Sequence, residues 1–368
     1  MSCMEYPEFY EQYLYAAEPD AAELALSWDV SIGLQAVDGL EVSEHLKEVA
    51  EHHIEGRLNM EQAKERIYTY YSEHKELCGT GVDEADKVAA NIAEILNDPS
   101  FLFSPAGFVG IHKKLFHNVF KFAGQIREYN ISKKEPVLEG DTVRYAHKAD
   151  LVGALNHDFE KEKRFSYQEL TQEQMVEHIA HFIADIWQIH PFPEGNTRTT
   201  AVFCIKYLRY LGFKVNNQLF ARKARYFRNA LVRANYADLL KGIDVNYSFL
   251  ISFFRNLLLG ETHELHSKDT HIHAAAVKSV PAVGSAPSVK PQNPSVVALL
   301  KAIGTDTISI REMMARLNLR GRDNFLKNYF HPAQEGGLLS PLYPNVPRHP
   351  RQKYFLSPLG HLARKKRS

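Results

Sequence analysis

Cysteine is scarce in this chain. Its 368 residues hold three, Cys3, Cys78 and Cys204, odd in number and widely scattered. That excludes a disulfide framework and a C-x-x-C metal pattern, and it points to a reducing cytoplasm. Net charge is absent too: 44 Lys and Arg face 44 Asp and Glu, so no global attraction to nucleic acid or membrane follows. No apolar run reaches the roughly 18 residues of a membrane span. Met1-Ser-Cys-Met-Glu-Tyr-Pro7 has neither a basic nor an apolar stretch, so no secretory signal is expected. No internal repeat is visible. The 45% hydrophobic and 24% charged residues are those of an ordinary globular protein, and the length suggests two or three domains.

The most informative stretch is His190-Pro-Phe-Pro-Glu-Gly-Asn-Thr-Arg-Thr-Thr200. Before it, Met175, Ile179, Phe182, Ile183 and Ile186 recur at helical spacing behind a Thr171/Gln174 capping box. After it, Val202, Ile205, Leu208 and Leu211 continue as a second apolar helix. The loop therefore joins two buried helices. The N-terminus of the second offers unpaired N–H groups and a positive dipole end, an anion site that Gly195 lets a ligand approach.

The residue types in the loop fit phosphoryl chemistry. His190 suits deprotonation of a hydroxyl near neutral pH. Glu194 is a hard oxygen ligand for Mg²⁺. Asn196 can donate an amide N–H to a phosphoryl oxygen, and Arg198 can hold phosphate bidentately. Phe192 is expected to point inward and pin the loop. Together these are parts of a phosphoryl- or nucleotidyl-transfer site. His178 and His181, three apart and followed by His190, lack a fourth group for zinc. His112, His117 and His147 show no ligand spacing.

The stretch resembles the signature of Fic-domain proteins, His-x-Phe-x-Asp/Glu-Gly-Asn-Gly/Lys-Arg-x-x-Arg. The resemblance runs over roughly residues 100–260 and includes Ala123-Gly-Gln-Ile-Arg-Glu-Tyr-Asn-Ile-Ser-Lys133, similar to the family's G-x-x-R lead-in to its flap. It implies transfer of AMP from ATP·Mg²⁺ onto a Ser, Thr or Tyr hydroxyl of a target protein. It makes His190 the base and Glu194 the Mg²⁺ ligand. Gly195, Asn196, Thr197 and Arg198 become the phosphate-binding set. It also implies a β-hairpin flap over about Pro136–Tyr145, with Val137, Leu138, Glu139, Gly140 and Asp141 docking the target by strand addition. Two positions depart from the pattern. Thr197 brings a β-branch where the family has Gly or Lys, disfavouring a positive φ. Ala201 replaces the final arginine and removes a γ-phosphate contact, for which Arg127, Lys133 and Arg144 are candidate substitutes.

Val37-Asp-Gly-Leu-Glu-Val-Ser43 and Leu58–Ile67 resemble the small antitoxin that restrains some Fic toxins, with its pattern Ser/Thr-x-x-x-Glu-Gly/Asn. Asp38-Gly39 falls on Glu-Gly and Leu34 on Ser/Thr. In that family the inhibitory carboxylate pairs with the final arginine, here Ala201. The segment reads either as an inhibitor or as a packed helical cap.

Periodicity predicts helices over Ala63–Tyr71, Asp83–Leu96, Gly107–Phe120, Ala149–Phe159, Met175–Ile189, Arg198–Leu211, Ala224–Ala234 and Ser248–Leu259, with Trp187 in the core. Residues 262–294, rich in Ala, Pro and Ser, read as a flexible linker. Beyond it, three short helices and two extended runs resemble a winged helix. That unit holds thirteen Lys and Arg against four Asp and Glu, near +9, which fits a DNA footprint or a protein-docking module with a basic tail.

The expected architecture is all-α, a Fic-type bundle with a small β-hairpin flap. The expected segments are 1–97 antitoxin-like, 98–261 catalytic, 262–294 linker and 295–368 winged-helix-like. The expected function is a self-inhibited protein adenylyltransferase of a toxin–antitoxin type, using ATP and Mg²⁺ in the cytoplasm. The sequence leaves homodimer formation open. The alternative is a nucleic-acid-binding regulator whose Fic core senses nucleotide.

Overall fold

Helix α1 (Pro19–Gly33) carries apolar side chains on two faces. Ala25, Trp28 and Ile32 point into one core, while Val30 points into another, joined by Leu34 and Val37 of the 3₁₀ turn Leu34–Asp38 that continues the helix. Helix α4 (Val82–Asn97) repeats the arrangement. Ala89, Ala90 and Ala93 face the first core, and Val88, Ile92, Ile95 and Leu96 the second. A stripe that wide means burial on both sides. These relationships come from a computed structural model that describes residues 19–168, 170–213, 217–238, 240–272, 294–304, 306–335, 338–341, 352–356 and 364.

Helices α2 (Glu44–Ile54) and α3 (Met60–Glu73) close the smaller core with Leu46, Val49, Ile67 and Tyr71. Ser43 caps α2, and Asn59 with Gln62 forms a capping box on α3. Fully buried Asp86 on α4 accepts from Ser43 N–H at 2.9 Å and from Tyr71 Oη at 2.6 Å, which ties the chain just after Asp38 to α4.

The larger core lies among α5 (Pro105–Leu115), α6 (Leu151–Lys163), α7 (Gln172–Ile189), α8 (Asn196–Tyr210), α9 (Gln218–Arg222), α10 (Ala224–Ala234) and α11 (Ser248–Leu259). Helix α8 runs through its middle, buried at every residue from Asn196 to Leu208. The predicted capping box of Thr171 and Gln174 opens α7. The helix predicted over Gly107–Phe120 stops at Leu115, where Phe116 turns back into the core.

The described residues form two compact units. The first takes them up to Ala237 and again from Ile243 to Ile272, and the second holds Asp238–Gly242 and those from Pro294 onward. No boundary falls near residue 97, because α1 and α4 each serve both cores of the first unit. The linker expected from Thr262 also starts later. Glu261 holds Arg255 through two bonds of 2.8 and 2.6 Å, Leu265 and Ile272 are buried, and Ile272 N–H donates to Val137 O at 2.9 Å. The remainder of that expected linker, 273–293, lies outside the described residues.

The described residues of the second unit include three helical pieces and two paired strands. Helix α12 (Pro294–Ile303) is followed by α13 (Ile310–Arg316), opened by a Ser309/Glu312 capping box. Helix α14 (Arg322–Phe325) continues through a π turn into α15 (His331–Glu335). Strands β1 (Leu339–Pro341) and β2 (Tyr354–Leu356) pair antiparallel, Ser340 opposite Phe355, over Leu299, Ile303, Met313, Phe325 and Phe330. The run between them, 342–351, lies outside the described residues. Among the described residues no helix is long and apolar enough to cross a membrane.

Candidate active site

Helix α7 ends at His190, whose backbone takes a left-handed conformation (φ 50°, ψ 57°) unusual for a residue with a Cβ. Both its backbone N–H and its Nδ1 donate to Trp187 O, at 3.1 and 3.0 Å. That bond places the ring hydrogen on Nδ1 and leaves Nε2 with its lone pair. Tyr145 stacks on the imidazole, centroids 4.0 Å apart. Burial holds the His190 pKa well below its ordinary value, and the nearby charges of Lys133, Arg228 and Arg127 push the same way. The ring is therefore neutral at pH 7.

Arg127 fixes the loop from below. Its Nε donates to His190 O at 2.8 Å, and its other nitrogens reach the carbonyls of Tyr129, Ala146 and Ile189. Its guanidinium is thus committed to backbone, which removes it as a substitute phosphate ligand. Arg144 is exposed.

Three residues have duties other than those expected. The Asn196 amide spans the loop, Nδ2 to Phe192 O at 2.8 Å and Oδ1 from Phe192 N–H at 3.0 Å, so the side chain shapes the turn rather than reaching for phosphate. Gly195 has φ 77°, and a Cβ there would lie 2.2 Å from the Phe116 ring, so the glycine is set by packing against Phe116. Thr197 sits in the first turn of α8, so its β-branch meets no positive φ. Its Oγ1 accepts from buried Trp187 Nε1 at 2.9 Å. The first turn of α8 has no side-chain cap, which leaves its N–H groups for an anion. Phe192 is fully buried as expected and stacks on His112 at 3.8 Å. His112 braces the loop through Nε2 to Glu194 O at 3.1 Å, while its Nδ1 accepts from Gly124 N–H.

The charged end of the loop is fully engaged. Arg198, only 1% exposed, donates NH2 to Glu84 Oε1 at 2.7 Å and NH1 to Gln35 Oε1 at 3.2 Å. Its Nε lies 2.8 Å from Asp38 Oδ2, a charge contact rather than an aligned hydrogen bond. Asp38 ends the 3₁₀ turn, and Gly39 (φ 73°) closes it with an N–H to Ala36 O. The carboxylate expected to meet the final arginine of the signature meets Arg198 instead. Leu34, at the Ser/Thr position of the inhibitory pattern, is core. Ala201 is fully buried in the larger core, so the helix presents that position to apolar neighbours and not to a phosphate site.

Lys133 Nζ lies 2.8 and 3.0 Å from the two carboxylate oxygens of Glu194, and Gly195 N–H donates to Oε1 at 3.0 Å. Burial alone would raise the Glu194 pKa. The Lys133 charge and these bonds outweigh it and hold the carboxyl below its usual value. Lys133 and the Gly195 N–H thus already compete for the oxygens that magnesium would use. Among the described residues no three His, Cys, Asp or Glu side chains gather as a ligand set. The arrangement does not fit a metal held by the protein.

The flap is not a β-hairpin. Pro136–Leu138 form a 3₁₀ turn, Glu139 and Gly140 follow with φ of 55° and 89°, and Glu135 N–H to Asp141 O closes the loop at 2.8 Å. Val137 and Leu138 are core residues at 1% exposure each, and Val137 O already accepts from Ile272. Strand addition needs a free edge, and of the five residues expected to dock the target only Glu139 and Gly140 are exposed. Fully buried Glu135 anchors the loop, gripped by Arg228 at 2.6 and 3.1 Å.

Sequence reasoning missed Gln35, Glu84, Glu135, Tyr145, Arg228 and the bracing role of His112. Of these only Glu84 carries a local signal, a carboxylate in the first turn of a helix. His178 donates to Glu162 Oε2 at 2.6 Å and His181 stacks on Tyr247 at 3.8 Å.

Residues 102–208 match the Fic/DOC family, and residues 294–357 match the C-terminal domain of the Fic-like "filamentation induced by cAMP" proteins. A curated relative, the probable protein adenylyltransferase Fic of Salmonella typhimurium, is 32% identical over 111 residues, 29% of this chain and 51% of that protein. The probable protein adenylyltransferase y4lH of Sinorhizobium fredii is 29% identical over 140 residues, 36% and 66% of the two chains. The chain thus spans about half to two thirds of the curated relatives it matches. Among solved structures, a Fic family protein from Desulfovibrio desulfuricans aligns at 16% identity and TM-score 0.43, covering 95% of this chain and 90% of that one. BepC of Bartonella tribocorum, solved with bound AMPPNP, aligns at 19% identity and TM-score 0.37, covering 49% and 90%. Through residues 102–208 the chain belongs to the Fic/DOC family.

Proposed function

We propose that the chain is a protein adenylyltransferase that moves AMP from ATP onto a Ser, Thr or Tyr hydroxyl of a target protein, and that its own N-terminal segment restrains it. The observation that carries the activity is a neutral, Nδ1-anchored His190 beside an uncapped helix N-terminus. His190 Nε2 takes the hydroxyl proton as the target oxygen attacks the α-phosphorus. The bond to the pyrophosphate oxygen breaks, and the first-turn N–H groups of α8 stabilise charge on the α-phosphate oxygens. The names of the curated relatives support the same reading. Lys133 holds both oxygens of Glu194, the carboxylate expected to take magnesium.

Restraint is supported by the surroundings of Arg198. A guanidinium shared among Asp38, Glu84 and Gln35 is not free for phosphate. The target would meet the molecule at the outward Glu139 and Gly140, and the scarcity of cysteine favours the cytoplasm as the place of action. In the second unit, exposed Arg311, Arg320, Arg322 and Lys327 support a DNA contact by residues 295–368, which a gel-shift titration across salt concentrations tests.

The activity is tested with ATP labelled at the α-phosphate. Purified protein is expected to label itself or a protein in a lysate, and His190→Ala to abolish the label. A label that survives in the alanine variant contradicts the mechanism.

A further inference from the structure

Lys133 follows a backbone that Arg127 fixes at Tyr129 and Ala146, and its own N–H donates to Thr142 Oγ1 at 3.3 Å. Its ammonium therefore reaches Glu194 from a supported loop and not from a free arm. The side chain is 29% exposed, so its outer face remains open to a ligand arriving from solvent. An ammonium carries three donors. Two point at the Glu194 oxygens, which leaves one for a third oxygen. Magnesium demands carboxylate oxygens at about 2.0–2.1 Å in near-octahedral order, and at Glu194 it would have to compete with this ammonium for both oxygens. Lysine is itself an established phosphate binder, acting as a point charge. The other loop cation, Arg198, is engaged by Asp38 and Glu84, and the final signature position is buried Ala201.

We infer that Lys133, seated on Glu194, is the phosphate-binding cation of this site and stands where a divalent metal would otherwise bridge Glu194 and the nucleotide. The inference rests on the nucleotide-transfer reading above. Glu194 then positions a lysine rather than ligating a metal. Lys133 touches a phosphate oxygen directly, beside the N–H groups of the first turn of α8. Nothing is oxidised and no proton moves at Lys133, since its charge alone is used.

The test is ATP affinity of the full chain by calorimetry, with magnesium and separately with EDTA, for the native protein, Lys133→Met and Lys133→Arg. The native protein is expected to bind ATP with little difference between the two conditions. Lys133→Met is expected to lose about ten- to hundredfold affinity in EDTA, the worth of one charge-assisted contact, and to regain part of it with magnesium. Lys133→Arg is expected to restore most of it. Native affinity that collapses in EDTA, or a methionine variant that tracks the native protein in both conditions, overturns the inference. So does a native protein that binds no ATP at all. Metal-independent binding without label transfer defeats the transferase reading and leaves Lys133 in its role. Transfer with strictly metal-dependent binding defeats Lys133 alone.

Discussion

At the His190 end of the loop the polar contacts go to backbone carbonyls. At the Glu194–Arg198 end they go to charged side chains brought from other elements. Trp187 O sets the His190 tautomer, and Arg127 holds the carbonyls on either side. Lys133, Asp38 and Glu84 neutralise the charged end. Backbone contacts persist whatever is bound, so the base is permanently prepared. Charge contacts exchange for a ligand's charges, so Arg198 is closed to phosphate until something displaces Asp38 and Glu84, whereas Lys133 on Glu194 keeps one donor open. The expected resting protein has a competent base and an Arg198 engaged by carboxylates.

The largest test of this contrast is Ala201→Arg. The family signature suggests that it would rebuild a phosphate ligand, whereas full burial predicts an unpaired charge in the core. A loss of several kcal/mol of stability is expected, on the order of 3 or more, visible as low soluble yield and a depressed melting temperature. A stable variant with tighter ATP binding would return that position to the phosphates. Next comes the base. His190→Ala should slow label transfer by about 10²–10⁴-fold with little change in ATP affinity. A comparable drop in affinity would mean that the imidazole binds nucleotide instead.

A smaller effect concerns pH. The His190 pKa is depressed in the folded protein, so the ring stays neutral at values where a free histidine already charges. The acid limb of transfer should therefore fall below pH 6.5, and a limb at or above that value contradicts the assigned burial and tautomer. The linkage sign follows. The unfolded chain binds this proton more readily, so the site's contribution to stability declines as pH falls below about 6.5.

The loop itself was legible because its chemistry is local. The base, the uncapped turn and the inward Phe192 all lie within one short stretch, and periodicity gave the helices on either side. Its partners were not legible. Glu84 and Asp38 reach Arg198 from far upstream, and Lys133 reaches Glu194 from the other side of α7. Periodicity tells which face of α4 is buried, not which arginine the polar edge will meet. The flap failed for a related reason. A Gly-Asp turn between Val137-Leu138 and Thr142-Val143 reads as a hairpin, but the apolar pair is drawn into the core and ladder pairing is lost. Ala201 misled because a family pattern was read as exposure, while the helix carrying it is buried on every side.

The base is ready, and Arg198 is held from phosphate by the protein's own carboxylates. The most direct measurement compares label transfer by the native protein, Asp38→Ala, Glu84→Gln and the double variant. Each single variant leaves one carboxylate on Arg198 and should gain little. The double variant should transfer about ten- to hundredfold faster, since Arg198 recovers one charge-assisted contact with phosphate. Equal rates across all four proteins would contradict the account.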